Sequence, residues 1–329
     1  MLSSLRRTPG GLTVSSFRQV AHTKDKTSGS ASSRQSLRAP VPSHDLCLEL
    51  DSLAAVTEFR GLQVFDFLAD ECLQTMSEIG RLREKVFRSA GAGRGESVDV
   101  DALDFGAHAY RQLVVFDPIS QELVAMLRYQ RGSRVDSEGD AVLRTSTLFD
   151  YSLVFRRDIL PQGVELGRSV VNLEARRARV GLFALWRGLA VLATGADPFQ
   201  YFFGNVSIYS DFNPSARDLM VATVEHLYAP PEPMFIAKPH LRLAPTVSPV
   251  LSTASWSLAR EGVAHVQEVL APYGARMPSI LQSYLSLSTE IWCGETARDA
   301  DFGSAHEMAI IVPLLRLEKR ARSLFGLDR

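Results

Sequence analysis

Cysteine is scarce: Cys47, Cys72 and Cys293 are the only three in a chain of 329 residues. They lie far apart and are odd in number, which argues against a disulfide framework or a CxxC metal site and suits a reducing compartment. Neither sign of charge dominates. Lys and Arg total 36 against 37 Asp and Glu, a formal net charge of −1, so no overall field draws the molecule to nucleic acid. No apolar run reaches the ~18 residues that a membrane-spanning helix needs. A Gly-x-Ser-x-Gly elbow is absent, as is a cysteine flanked by activating residues, so no covalent acyl-enzyme is expected. Gly91, Gly93 and Gly95 are followed by no GK[ST], which argues against a phosphate loop. Asp99, Asp101 and Asp104 lack the glycine and terminal glutamate of a calcium loop. The histidines His108, His226, His240, His265 and His306 are isolated, so no metal site is expected.

What is present is an ordinary globular composition, 46% hydrophobic and 22% charged, with room for one large domain or two small ones. Residues 1–44 differ in kind. They are rich in Ser, Arg, Gly and Thr, with Asp25 the only acid, and they are expected to form a disordered basic tail. An organellar transit peptide has the same composition, as does a polybasic arm attracted to anionic lipid. With no secretory h-region, the expected location is the cytoplasm, with possible membrane association, or an organelle if the source is eukaryotic.

Hydrophobic periodicity then alternates between strand and helix. Strands are expected over 61–69, 112–116, 123–129, 164–172, 201–209, 289–293 and 308–312. Helices are expected over 72–88, 182–192, 261–270, 279–287 and 314–325. Another helix starts at Asn213, which can cap, with Pro214 at the first helical position. Residues 229–249 hold six prolines and read as a loop or arm outside the core. This is an α/β pattern; periodicity alone does not choose its topology.

Glu165-Leu-Gly-Arg168-Ser169 puts two charges into the apolar run of Val164, Leu166, Val170 and Val171. An ideal strand would not carry residues three apart on one face. Both reach one cleft if the glycine between them marks a bulge or a close approach by another molecule. A carboxylate beside an apolar wall suits a general base where burial raises its pKa more than the arginine lowers it. The pair reads equally as a structural ion pair at a sheet edge.

Arg81-Leu-Arg83-Glu84-Lys-Val86-Phe87 closes a helical pattern, Asp101 and Asp104 follow in a loop, and Arg128 ends the apolar run Leu123-Val-Ala-Met-Leu127. In this order, with Glu165 and Arg168 after them, the residues resemble the acyl-homoserine-lactone synthases, a branch of the GNAT fold. They are more similar still to the N-acyltransferases of ornithine-lipid and related lipoamino-acid synthesis, often labelled hemolysin-like. Leu185-Trp-Arg-Gly-Leu189 and Tyr201-Phe-Phe-Gly-Asn-Val-Ser-Ile208 add to the likeness, which is good over 70–215. Departures are Gly91-Ala-Gly93-Arg94-Gly95 in place of Gly-x-Gly-Thr, Asn205 after Gly204, and His306-Glu307 in place of an aspartate-rich stretch.

The resemblance implies a GNAT-like fold: a central mixed sheet flanked by helices, with two strands splayed to admit a pantetheine arm. The implied layout is the tail at 1–44, an acyltransferase core at 45–228, a Pro-rich arm or insertion at 229–276, and a C-terminal part completing the fold at 277–329. It implies transfer of a fatty acyl group from an acyl carrier protein thioester to the amine of an ornithine- or glycine-like amino acid, with no tightly bound cofactor. Glu165 is the expected base, and Arg168 its partner or the seat of the acceptor carboxylate. Asp104 and Asp101 are expected to bind the ammonium or order their loop, Arg128 and Arg83 to pair with these acids, and Ser169 to face substrate. Other readings are a non-catalytic acyl-carrier or lipid-binding protein of this fold, and a lysophospholipid O-acyltransferase, whose usual HxxxxD pair is absent.

Overall fold

A computed structural model describes residues 34–135, 139, 142–243, 247–250 and 259–327. Residues 1–33, most of the expected basic tail, lie outside the described residues. The rest of that stretch is built into the fold. Its extended chain bonds the 95–97 loop through Gln35 N to Gly95 O (2.9 Å) and Arg38 N to Ser97 O (3.1 Å), and α1 (Ser43–Leu50) follows.

An eight-stranded sheet in the order β1-β2-β3-β4-β6-β7-β10-β9 organises the described residues. The strands are β1 (Thr57–Phe59), β2 (Leu62–Leu68), β3 (Arg111–Asp117), β4 (Glu122–Arg131), β6 (Gly163–Val171), β7 (Tyr201–Ile208), β9 (Trp292–Asp299) and β10 (Ala305–Pro313). Neighbours run antiparallel except β6 and β7, which are parallel. A small second sheet pairs β5 (Phe149–Tyr151) with β8 (Phe235–Ala237). This mixed sheet flanked by helices is the expected GNAT-like architecture.

Alternation along the strands divides the core. Leu62 and Val64 of β2 join Leu113 and Val115 of β3 on one face, beneath α3 (Ala178–Ala193), with α4 (Pro214–Leu227), α5 (Ala259–Leu270), α6 (Ser279–Leu285) and α7 (Lys319–Phe325) contributing to the same cluster. Phe65, Phe67, Val114 and Met126 face the other way, onto Met76, Ile79, Leu82 and Phe87 of α2 (Leu73–Ser89). A third cluster extends that second face, where Phe149, Phe155 and Phe235 meet Phe203, Ala309 and Ile311.

The long elements follow the sequence pattern, and Asn213 caps α4 by accepting from Ala216 N at 3.0 Å. Three readings change. The Pro-rich stretch carries β8, whose Phe235 is buried against the rings of Phe149, Tyr151 and Phe155, so part of it is core. The strand expected over 289–293 is β9, displaced towards Asp299; its outer edge is partly covered, Ala297 forming a bridge with Arg242 and Arg298 N bonding Leu241 O at 2.8 Å. The terminal helix begins only at Lys319, after a short 3-10 turn at Leu314–Arg316.

Gly80, in the middle of α2, lets residues 98–100 lie against the helix. A Cβ there would fall 2.7 Å from Val100 Cγ2, and Asp99 N donates to Gly80 O at 2.8 Å. Gly80→Ala therefore sets a helix-propensity gain of about 1 kcal/mol against overpacking of about 1–3 kcal/mol. Net destabilisation is expected in urea unfolding; a higher midpoint would show that the 98–100 segment yields freely.

Candidate active site

A bulge in β6 creates the site. A step of three residues in β6, Gly167 to Val170, meets a step of two in β4, Arg128 to Met126. Val164 and Leu166 belong to the first core face but Val170 to the second, so the extra residue brings Arg168 to the face that Glu165 occupies. Arg168 absorbs the irregularity with φ at 52°.

Arg168 is held there by charge. Its Nε lies 2.8 Å from Asp99 Oδ2 and its Nη2 lies 3.5 Å from Asp101 Oδ2. The guanidinium sits over the rings of Phe302 (4.7 Å) and Phe87 (5.6 Å). Arg128 bonds both oxygens of Asp101, at 2.6 and 3.0 Å, and lies 3.1 Å from Asp104. Arg83 completes the cluster, bonding Asp104 at 3.1 Å and Gln112 at 2.6 Å. Asp101 and Asp104 also close a reciprocal capping box around the short turn Ala102–Asp104. Burial pushes Asp99 up, against the pull of Arg168. Burial acts on Asp101 too, but Arg128 and Arg168 outweigh it and hold that carboxyl well below the usual range.

Glu165 is buried at the other end of this cluster. Its carboxylate accepts from the Tyr110 hydroxyl, from Arg144 N (2.9 Å) and from Thr145 N (2.6 Å). Arg128 stacks over the Tyr110 ring at 5.0 Å. Glu165 thus faces the 142–148 loop and is absent from the cleft wall described next; among the described residues no ion pair or hydrogen bond joins it to Arg168.

The cleft opens where β6 and β7 part. They pair from Gly163 and Tyr201 to Leu166 and Gly204 and no further. Gly204 permits the last close approach, since a Cβ would fall 2.5 Å from Leu166 O. Beyond it, Gly167, Arg168 and Ser169 face Asn205, Val206 and Ser207 across a space of about 690 Å³, open solvent at the mouth included. Backbone groups that a ladder would have paired are left facing this gap. Arg144, Asp299, Phe302 and Tyr209 also line it, as do Ile280 and Tyr284.

Glu307 of β10 lies in the cleft wall, buried and accepting from Asn205 Nδ2 and from Ser207 Oγ at 2.8 and 2.9 Å. Burial raises its pKa, the Asp299 charge adds to the rise, and the Ser207 and Asn205 bonds and Arg144 oppose it. Tyr209 and Tyr284 are each pushed up to about 12, burial being the leading cause. Of the expected residues, Arg128, Arg168 and Ser169 line the cleft. Asp101 lines an adjoining lobe, and Arg83 and Asp104 are buried behind it. Among the described residues no group of His, Cys, Asp or Glu is arranged to hold a metal ion.

A family model for the Acetyltransferase (GNAT) domain matches residues 82–187, the span from α2 through β6 into α3. The Glycine N(alpha)-acyltransferase of Bacteroides thetaiotaomicron is 31% identical over 297 residues, covering 87% of this chain and 88% of its own. The protein of the same name from Phocaeicola vulgatus is 30% identical over 298 residues, covering 87% and 91%. This chain belongs to their GNAT acyltransferase family. No solved structure is significantly similar to it.

For an acyltransferase of this fold, the polar groups to which sequence analysis gave no role are Glu307, Asn205, Ser207, Arg144 and Asp299, although Asn205 and Glu307 stood out there as departures from the family pattern. Two had a signal. Glu307 stands beside the apolar run Met308–Val312, where a charge is costly unless used, but the strand was expected to start one residue later. Asn205 stands in an otherwise apolar strand in the same way. Arg144 and Asp299 reach the cleft only through tertiary folding.

Asp99 has Arg168 as its ion-pair partner among the described residues. Arg168→Met would leave that buried carboxylate uncompensated, so a loss of about 3–5 kcal/mol is expected. Adding Asp99→Asn should recover more than half of it in denaturant unfolding. Equal stability of the single and double variants would show that the pair is not coupled.

Proposed function

We propose that this protein is an N-acyltransferase that moves a fatty acyl group from an acyl carrier protein thioester to the α-amine of glycine or a similarly small amino acid, in lipoamino-acid synthesis. The observation that carries this is Glu307: a buried carboxylate with a raised pKa, set in the gap between the splayed strands. The names of the two relatives support glycine as acceptor. A thioester on phosphopantetheine suits a gap lined by unpaired backbone, and the splayed end of β6 runs on into a turn carrying Arg176 and Arg177, with Arg179 in the first turn of α3, a basic approach for an acidic carrier protein or for phosphate.

Glu307 takes the place that sequence analysis assigned to Glu165. The amine arrives as ammonium at neutral pH and gives one proton to the Glu307 carboxylate, directly or through one water. Its lone pair attacks the thioester carbonyl carbon. Negative charge gathers on the carbonyl oxygen, where an N–H of the β6 or β7 backbone bordering the gap stabilises it. Collapse breaks the carbon–sulfur bond and forms the amide as the nitrogen gives up its second proton, which passes through water to restore the phenol that protonates the departing thiolate, while Glu307 releases the first proton to solvent. The Tyr284 phenol, held protonated by burial, stands at the gap to give a proton to the departing thiolate. Ile280 and Val206 offer an apolar wall to the acyl chain.

The assay supplies acyl carrier and coenzyme A thioesters with glycine, ornithine and other amines, and follows free thiol and N-acyl product by mass spectrometry. Amine-dependent thiol release from the carrier thioester, with N-acylglycine as product, is expected. Thiol release without any amide, or none from any donor, would sink the proposal.

Glu307→Gln should lower kcat by roughly 10²- to 10⁴-fold, the range of a general base. Because the folded-state pKa of Glu307 is raised, ionised Glu307 costs stability as pH rises from the ordinary glutamate range through the raised value. The variant should therefore be no less stable than the parent at pH 8 while nearly inactive. The acid limb of the parent's kcat/KM profile should lie above the ordinary glutamate range. A variant with parental kcat would place the base elsewhere.

A further inference from the structure

Four residues line both the strand gap and the polar lobe beside it: Arg144, Arg168, Asp299 and Phe302. An amino acid whose amine reaches Glu307 must put its carboxylate near this junction, since the two groups share one carbon. Two of the four are cations. Arg168 is already engaged by Asp99 and Asp101 and enclosed by two rings. Arg144 is more open. One Nη bonds Asp299 and the other bonds the Thr147 hydroxyl, which leaves part of a five-donor fork unspent. Its side chain keeps 23% exposure, and its charge is felt at Glu307.

Resting on the N-acyltransferase reading, we propose that the Arg144–Asp299 pair seats the acceptor zwitterion, Arg144 taking the α-carboxylate and Asp299 the ammonium, with Glu165 as the positioning residue for Arg144. The acceptor's two charges then alternate with those of the pair, so the complex adds no net charge to a partly dry site. An amine without a carboxylate forfeits the arginine contact, and an acid without an amine meets Asp299. Glu165 fixes the arginine through the backbone, accepting from the N–H groups of Arg144 and Thr145. The carboxylate cast in sequence as a base acts here as the tether of the loop that reads the acceptor.

The test is steady-state kinetics of the full chain with saturating acyl thioester, comparing glycine with glycinamide. The parent should prefer glycine. Arg144→Gln should raise KM for glycine about ten- to hundredfold, the worth of a charged hydrogen bond, and erase the preference, while KM for the thioester stays put. Arg144→Lys, which keeps the charge and loses the fork, should fall between them and serves as the measure should Arg144→Gln fail to fold. Glu165→Gln should raise KM for glycine and keep the acid limb of the pH profile, which loss of a base would abolish. Retained glycine preference in both Arg144 variants overturns the acceptor seat even though transfer continues. Loss of the acid limb in Glu165→Gln, or an unchanged KM for glycine, removes Glu165 from the positioning role. A parent that acylates no amino acid overturns the proposed function itself.

Discussion

Arg168 sits in a backbone region that costs a non-glycine residue of order 1–3 kcal/mol, and it stays there because Asp99, Asp101 and the rings of Phe87 and Phe302 hold its head. That one guanidinium fixes the β6 bulge. The bulge turns the end of β6 away from its early register with β4, on the stretch where pairing with β7 has already stopped. A regular strand could close against β7 and satisfy its backbone. With the bulge locked, the gap stays open and its backbone groups stay available to a ligand.

Three arginines and three aspartates form the cluster behind this gap. Buried ion pairs seldom add net stability, because desolvation cancels most of the attraction. Their value here is geometric. Arg83 comes from α2, Asp99, Asp101 and Asp104 from the loop after it, Arg128 from β4 and Arg168 from β6, so the cluster ties four segments together at fixed angles. Tyr110 extends the tie, lying under Arg128 and bonding Glu165, and Glu165 carries it to the 142–148 loop. Positions at the cleft are thereby coupled to a charge network that itself stays mostly dry.

The sequence made the frame legible because frame-building is local. Helical spacing in α2 and α3, strand runs at β3, β4 and β6, and the Asn213–Pro214 cap all depend on near neighbours. The bulge was legible too, since two charges three apart in an apolar run need an extra residue to share a face. Short pieces such as α1, β5 and β8 were not, because they are held by partners distant in sequence; Phe235 is core only because β5 and Phe155 surround it. The candidate site was half legible. Arg128, Arg168 and Ser169 line the cleft, whereas Arg144 and Asp299, 155 residues apart, meet only after folding.

The two glutamates show why residue type and strand position do not settle a role. Glu165 offers about four lone-pair sites, and three donors, two of them rigid backbone N–H groups, converge on it. The two backbone donors belong to the 142–148 loop, so the carboxylate ties that loop to β6. Among the described residues the Glu307 carboxylate is bonded by the side chains of Asn205 and Ser207, which can turn, and its neighbour Asp299 carries like charge. Protonation there relieves both burial and repulsion, and the donors can readjust. A carboxylate that must cycle between charged and neutral forms belongs in the second setting, and one that must hold a loop still belongs in the first.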